Sequence, residues 1–199
     1  MIGAAGPRGA LWIAVKSYTA SMKPDEMVGA ALEVARAGLA AGEQPIGAVV
    51  VLGDEILARA FTSEKTLGRR LVHAELLAMI EADEMLGWGR RRHPLRLAAS
   101  LEPCVMCLGT AMALGIREVY FALESPQDGG AALAAQRRAG PEPAWFAAPA
   151  MVGGIRRDAG RELFRRWCDT APDSTMRRWA ETLIDPAADQ GPRDARPAS

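Results

Sequence analysis

One histidine, two cysteines and one glutamate stand at spacings that suit a metal-assisted reaction. His73 and Glu75 flank a single alanine, and Cys104 and Cys107 belong to a Pro-Cys-x-x-Cys motif that begins at Pro103. Proline suits the first position of a helix, and cysteines three residues apart then lie on one face, so both sulfurs can reach one ion. A neutral imidazole supplies a third ligand and leaves the fourth tetrahedral position open for water. The pattern predicts one Zn²⁺ per chain, bound by His73, Cys104 and Cys107.

The glutamate is the candidate for proton transfer. In a regular helix, side chains two residues apart diverge, so we expect His73 and Glu75 to straddle a helix start. The carboxylate then lies beside the metal-bound water rather than on the metal. Because zinc can lower the pKa of bound water toward about 7, a positioned carboxylate can accept its proton and pass it on. We therefore predict that Glu75 is catalytic.

Other interpretations of the cysteine pair need weighing. A Cys-x-x-Cys motif alone also occurs in structural zinc sites and in redox pairs. A structural zinc site would need a fourth ligand, for which only His93 or Cys168 remains. We interpret Cys168, beside Trp167 in an apolar helical stripe, as a core residue and His93 as a surface loop residue. The upstream His-Ala-Glu favours a catalytic site.

Composition narrows the class of protein. The chain has 199 residues, of which 49% are hydrophobic and 24% charged, and this is typical of one globular domain. The 24 Lys and Arg residues balance 24 Asp and Glu residues, so no overall basic excess favours nucleic acid. Three cysteines cannot pair evenly, and no apolar stretch approaches the roughly 20 residues that span a bilayer. We expect a cytoplasmic protein with no membrane partner.

The chain divides into three segments. Helical patterning begins only after Met22, with Pro24 and Asp25 as start signals, so we interpret residues 1–21 as a dispensable extension. Residues 22–185 form the domain that carries the metal motifs. Residues 186–199 are rich in Pro, Ala, Asp and Arg and predict a disordered tail.

Hydrophobic periodicity predicts strands that alternate with helices. The predicted strands are 46–52, 55–61, 95–101, 118–123 and a short one near 151–152. The predicted helices are one that starts after Met22, then 71–86, 103–114, 129–138, 156–170 and 174–183, with a polar loop at 62–70. This alternation favours an α/β sheet covered on both faces.

At its metal motifs the sequence resembles the cytidine and deoxycytidylate deaminase superfamily. It looks most like the branch of bacterial tRNA adenosine deaminases and guanine deaminases, and the likeness covers roughly residues 22–168. Residues 43–50 (Glu-Gln-Pro-Ile-Gly-Ala-Val-Val) resemble that branch's first strand, and 101–107 its second zinc segment. The resemblance implies a three-layer α/β/α sandwich with a mixed five-stranded sheet, a homodimer, and hydrolytic removal of an amino group as ammonia.

The resemblance also implies where substrate binds. It assigns substrate contacts to six residues near the motifs: Pro45, Thr62, Ala74, Glu102, Pro103 and Asp128. The branch commonly has an asparagine eleven residues before the zinc histidine, where this chain has Thr62. A threonine cannot offer the paired donor and acceptor of an amide. Either the loop 62–70 aligns differently or another base edge is recognised.

Three functions remain open at this point. The first is a deaminase of a free nucleobase or nucleoside, of the aminopurine type, which zero net charge and the altered Thr62 position favour. The second is a tRNA adenosine deaminase that makes inosine in an anticodon loop, for which arginines within 90–92 and 156–166 could grip phosphates. The third is a catalytically silent partner subunit with a structural zinc, against which the intact Glu75 argues.

Overall fold

The computed structural model describes residues 21–89, 93–137 and 146–185. The predictions for residues 1–20, for the arginines at 90–92 and for the tail 186–199 lie outside the described residues. None of the described helices is both long and apolar enough to cross a lipid bilayer.

Helices and strands alternate along most of the described chain. The helices are α1 (Pro24–Ala40), α2 (Glu64–Leu67), α3 (Ala74–Leu86), α4 (Val105–Leu114), α5 (Ala131–Gln136), α6 (Arg157–Thr170) and α7 (Thr175–Ile184). The strands are β1 (Gly47–Leu52), β2 (Glu55–Phe61), β3 (Leu95–Leu101), β4 (Ile116–Leu123) and β5 (Ala150–Val152).

The strands form one mixed sheet in the order β2-β1-β3-β4-β5. Strand β1 runs antiparallel to β2 and β3, whereas β3, β4 and β5 are parallel. Side chains of β1 alternate between two cores: Ala48 and Val50 pack with α3 and α4, and Val49 and Val51 pack with α1 and α6. The expected three-layer sandwich with a five-stranded sheet is confirmed.

The helices from α3 onward begin one to three residues later than the periodicity predicts, and α3 and α4 show a physical reason. Helix α3 starts at Ala74 rather than 71. The carbonyl of Val72 accepts the N–H of Ser63 at 3.1 Å, and the backbone of His73, the residue before the helix, is extended. Helix α4 starts at Val105 rather than 103, because Cys104 is extended and pairs with Gly129 in an isolated β-bridge. Both predicted starts were wrong, because a contact with a residue outside the helix, Ser63 or Gly129, keeps the preceding segment from being helical.

Candidate active site

The candidate metal ligands come from the starts of two neighbouring helices. His73 immediately precedes α3, and Cys104 immediately precedes α4, with Cys107 in the first turn of α4. The His73 Nδ1 atom lies 3.7 Å from Cys104 Sγ and 3.8 Å from Cys107 Sγ. Ligands of one tetrahedral zinc, at Zn–N of about 2.0 Å and Zn–S of about 2.3 Å, are separated by roughly 3.6 Å. The three side chains therefore fit a zinc ion.

The metal group has an open side. Its three ligand atoms all lie within 4.8 Å of one another. Neither His93 nor Cys168 joins this group within the part of the chain that the structure describes. Cys168 is instead buried with Phe164 in the core beside α7, as predicted. Three protein ligands with a free fourth position are typical of catalytic rather than structural zinc.

The pKa values of the two cysteines and of His73 are shifted by their contacts with one another. The hydrogen bond from Cys107 and the neighbouring His73 lower the pKa of Cys104 to about 4. The same hydrogen bond and burial raise the pKa of the Cys107 thiol, and the hydrogen bond with Cys104 raises the pKa of His73 to about 9. The lowered pKa favours the thiolate form of Cys104, which is the form that binds zinc, and a bound metal would displace the protons of Cys107 and His73.

Glu75 lies beside the metal group in the first turn of α3. It is 3% exposed, and its Oε2 atom lies 3.7 Å from Cys107 Sγ. Burial raises its pKa to about 7. A carboxyl group with a pKa near neutrality can both accept and donate a proton at physiological pH.

A cavity of about 550 Å³ opens onto these residues, within the range typical of small-molecule sites. Its wall contains four carboxylates, and no lysine or arginine is among the described residues that form it. The lining residues are Gln44, Ile46, Thr62, Glu64, His73, Glu75, Leu101, Glu102, Cys104, Gln127, Asp128, Thr175, Met176 and Trp179. The cavity is therefore acidic and partly apolar.

The six residues expected to contact substrate fall into two groups. Three of them line the cavity: Thr62, Glu102 and Asp128. The other three are buried and are not among the described lining residues: Pro45, Ala74 and Pro103. The first group thus faces the space in which a substrate would bind.

Glu102 also shapes the wall. Its carboxylate accepts the backbone N–H groups of Ser125 at 2.9 Å and Ala131 at 2.8 Å, so it anchors the segment after β4. Gly129 lies against this carboxylate, and a side chain there would collide with it. The segment that carries Asp128 is therefore held at the cavity by Glu102.

Sequence reasoning missed several of the lining residues, four of which lie in α2 and α7. Glu64 lies in α2, within the segment predicted as a polar loop. Thr175, Met176 and Trp179 come from α7, whose helical pattern was recognised but not its position over the cavity. Periodicity gives a helix and its apolar face, but it does not say which part of the sheet that helix covers.

Two arginines at the start of α6 form ion pairs with other parts of the protein. Arg156 donates to Asp25 at 2.8 Å, and Arg157 donates to Glu124 at 3.0 Å. Neither arginine is among the lining residues. These two guanidinium groups hold α6 to α1 and to the end of β4.

Comparison with known proteins decides the family. A family model described as "Cytidine and deoxycytidylate deaminase zinc-binding region" matches residues 22–123, which is just over half of the chain. The chain belongs to this deaminase family. The matched region contains all three residues that could hold zinc.

The names of proteins similar to this deaminase-family chain refer to different substrates. A tRNA-specific adenosine deaminase from Agrobacterium fabrum is 32% identical over 138 residues, which cover 69% of this chain and 88% of that relative. One from Bacillus subtilis is 42% identical over 89 residues, 44% of this chain, and the chain spans only 54% of its length. The structure of a guanine deaminase from Nitrosomonas europaea superposes with a TM-score of 0.59 at 25% identity, covering 82% of this chain and 98% of that one.

Proposed function

We propose that this chain is a zinc-dependent hydrolytic deaminase of a free aminopurine base or its nucleoside. Family membership supports the reaction class, hydrolysis at the carbon that bears an amino group. The guanine deaminase among the structural neighbours supports a purine. The substrate itself is inferred from the cavity.

The main support for an uncharged purine substrate is the charge of the cavity wall. Glu64, Glu75, Glu102 and Asp128 line it, without a lysine or arginine from the described residues. Carboxylates accept hydrogen bonds from the N–H groups of a base, whereas they repel phosphate. An uncharged ligand rich in N–H donors suits such a wall better than a polyanion.

Glu75 has the position and the pKa for proton transfer. When bound, zinc supplies a water molecule whose pKa is lowered to about 7. Glu75 would take one proton of the attacking water as the oxygen bonds to the amino-bearing carbon and would pass it to the ring nitrogen. It would then move the remaining proton of the newly added hydroxyl to the departing amine. The carbon–nitrogen bond breaks, a carbonyl replaces the amino group, and ammonia leaves. Water is the only co-reactant consumed.

The names of both sequence relatives favour a second candidate, a tRNA adenosine deaminase. Such an enzyme must bind phosphates and flip a base out of its stack. Arg156 and Arg157, which could contact phosphates, are instead paired with carboxylates of the protein. Their pairing therefore does not support this candidate, whereas the names of the relatives do. The two candidates differ in substrate size, so one experiment separates them.

The test is ammonia release by the zinc-loaded protein from a panel of substrates. The panel contains guanine, guanosine, adenine, adenosine, cytosine, cytidine and a tRNA anticodon stem-loop. We expect a purine base or nucleoside to give the highest kcat/KM. Glu75→Ala serves as the inactive control, because it removes the proposed proton carrier. Turnover of the stem-loop alone would support the second candidate and contradict the first.

A further inference from the structure

The two ring nitrogens of His73 face different partners. Nδ1 points to the sulfurs of Cys104 and Cys107, at 3.7 and 3.8 Å. Nε2 lies 3.9 Å from Oε1 of Glu64. A nitrogen that binds metal cannot carry a proton, so in the loaded site the proton of the neutral ring is on Nε2. That N–H is then on the nitrogen nearest to the Glu64 carboxylate.

Glu64 is itself held from the other side. The hydroxyl of Thr62 lies 3.3 Å from its Oε2 atom and 3.4 Å from the carbonyl oxygen of Val72, so two acceptors share its one proton. Thr62 is 1% exposed, and its own N–H donates to the carbonyl of Ile46 at 3.0 Å. The hydroxyl is therefore fixed at the end of β2, from which it can orient the carboxylate.

A buried carboxylate also fixes the short helix that carries Glu64. Glu43, 1% exposed, accepts the backbone N–H groups of Lys65 at 3.1 Å and Thr66 at 2.7 Å. These bonds tie α2 to the turn between α1 and β1. The position of Glu64 relative to His73 thus depends on two independent anchors.

We propose that Thr62 and Glu64 form a positioning chain that fixes the ring orientation and the tautomer of His73 for zinc. At 3.9 Å the contact between Glu64 and His73 is electrostatic or water-bridged rather than a direct hydrogen bond. Partners of this kind typically change metal affinity by about 10- to 100-fold. Thr62, at the position where related enzymes have an amide, acts here on the metal ligand through Glu64. The inference rests on the zinc site of the proposed function.

The test measures metal retention rather than activity. Zinc affinity is determined by competition with a chromophoric chelator for the wild type, Glu64→Ala, Glu64→Gln and Thr62→Val. Glu84→Gln is the control, because this exposed glutamate lies on α3 away from the site. We expect Glu64→Ala to weaken zinc binding about 10- to 100-fold. Glu64→Gln should retain part of the affinity, since its amide oxygen still accepts a hydrogen bond, and Thr62→Val should show a smaller loss.

A spectroscopic signature separates positioning from a general loss of structure. In cobalt-substituted protein, the visible absorption bands should change in Glu64→Ala, be partly restored in Glu64→Gln and stay unchanged in Glu84→Gln. Wild-type zinc affinity together with a wild-type cobalt spectrum in Glu64→Ala would overturn the proposal. A rise in KM alone in that variant would place Glu64 against the substrate instead. A wild-type protein that binds zinc but releases no ammonia would contradict the proposed function and leave this inference standing.

Discussion

Glu75 and His73 are separated by one residue but have different backbone surroundings. His73 is extended, with φ of −66° and ψ of 150°, and Glu75 is already in the first turn of α3. This change of conformation lets the imidazole face the sulfurs while the carboxylate stays buried beside them. The straddled helix start that the His-Ala-Glu spacing predicts is therefore present, and it places the proposed proton carrier next to the metal group.

Removal of this carboxylate should separate chemistry from metal binding. We expect Glu75→Gln to lower kcat by about 10²- to 10⁴-fold, because an amide of nearly equal size cannot carry the proton. Zinc content should remain at the wild-type level, since Glu75 is not among the candidate ligands. Steady-state ammonia release and metal analysis measure both quantities.

The matched control is Glu81→Gln, an exposed change on the same helix. It should leave both quantities unchanged. Near-normal kcat in zinc-loaded Glu75→Gln would remove Glu75 from the mechanism.

Helix α1 and strand β1 approach each other closely, and this contact supports the strand that begins beside the site. A side chain at Gly47 would meet the backbone nitrogen of Ala35 and would lie 2.6 Å from the carbonyl oxygen of Ala31. We expect Gly47→Ala to lower the free energy of unfolding by about 1–3 kcal/mol, because backbone atoms cannot move aside cheaply. Denaturant titration of the zinc-loaded protein measures the change.

Gly109→Ala is the control for Gly47→Ala, because it makes the same substitution at a glycine without close packing. Gly109 lies in α4, and apart from its own helix backbone and chain neighbours, no atom of the described residues lies within 4 Å of a Cβ built there. Alanine is the better helix former, so this variant should be as stable as the wild type or more stable by up to about 1 kcal/mol. Equal stability of the two alanine variants would contradict the close packing of α1 on β1.

Hydrophobic spacing in the sequence predicted most of the helices and strands, but fewer of the residues at which they begin and end. Strand β3 and the end of α3 follow from hydrophobic spacing alone, and the five-stranded sheet follows from the resemblance. The starts of α3 and α4 do not, because Val72 and Cys104 make backbone contacts with residues outside these helices. The metal residues were predictable since their spacing is itself the signal. Glu64 was not, because its role depends on a fold that brings α2 beside His73.

At the scale of the molecule, charge and shape support the small ligand that we propose. The chain has no net charge, and Arg156 and Arg157 are engaged within the protein. Helix α7 covers one side of the cavity through Met176 and Trp179. The homodimer implied by the resemblance stays a prediction, as does the dispensability of residues 1–21.

Salt dependence tests this picture of the whole molecule. We expect kcat/KM for the preferred base to change by less than about twofold between 50 and 200 mM salt, because binding releases few counterions. An enzyme that makes 6–10 phosphate contacts would lose roughly 10³- to 10⁵-fold over the same range. A steep loss of activity with salt would indicate a nucleic-acid substrate.

The most direct test of the account is a zinc titration of ammonia release. Protein stripped of metal by a chelator should be inactive toward its preferred substrate. Activity should rise linearly with added zinc and reach a plateau at one equivalent per chain, and Cys107→Ser should abolish or strongly weaken this response. Full activity of the metal-free protein, or zinc-loaded protein that deaminates no member of the panel, would contradict the central claim.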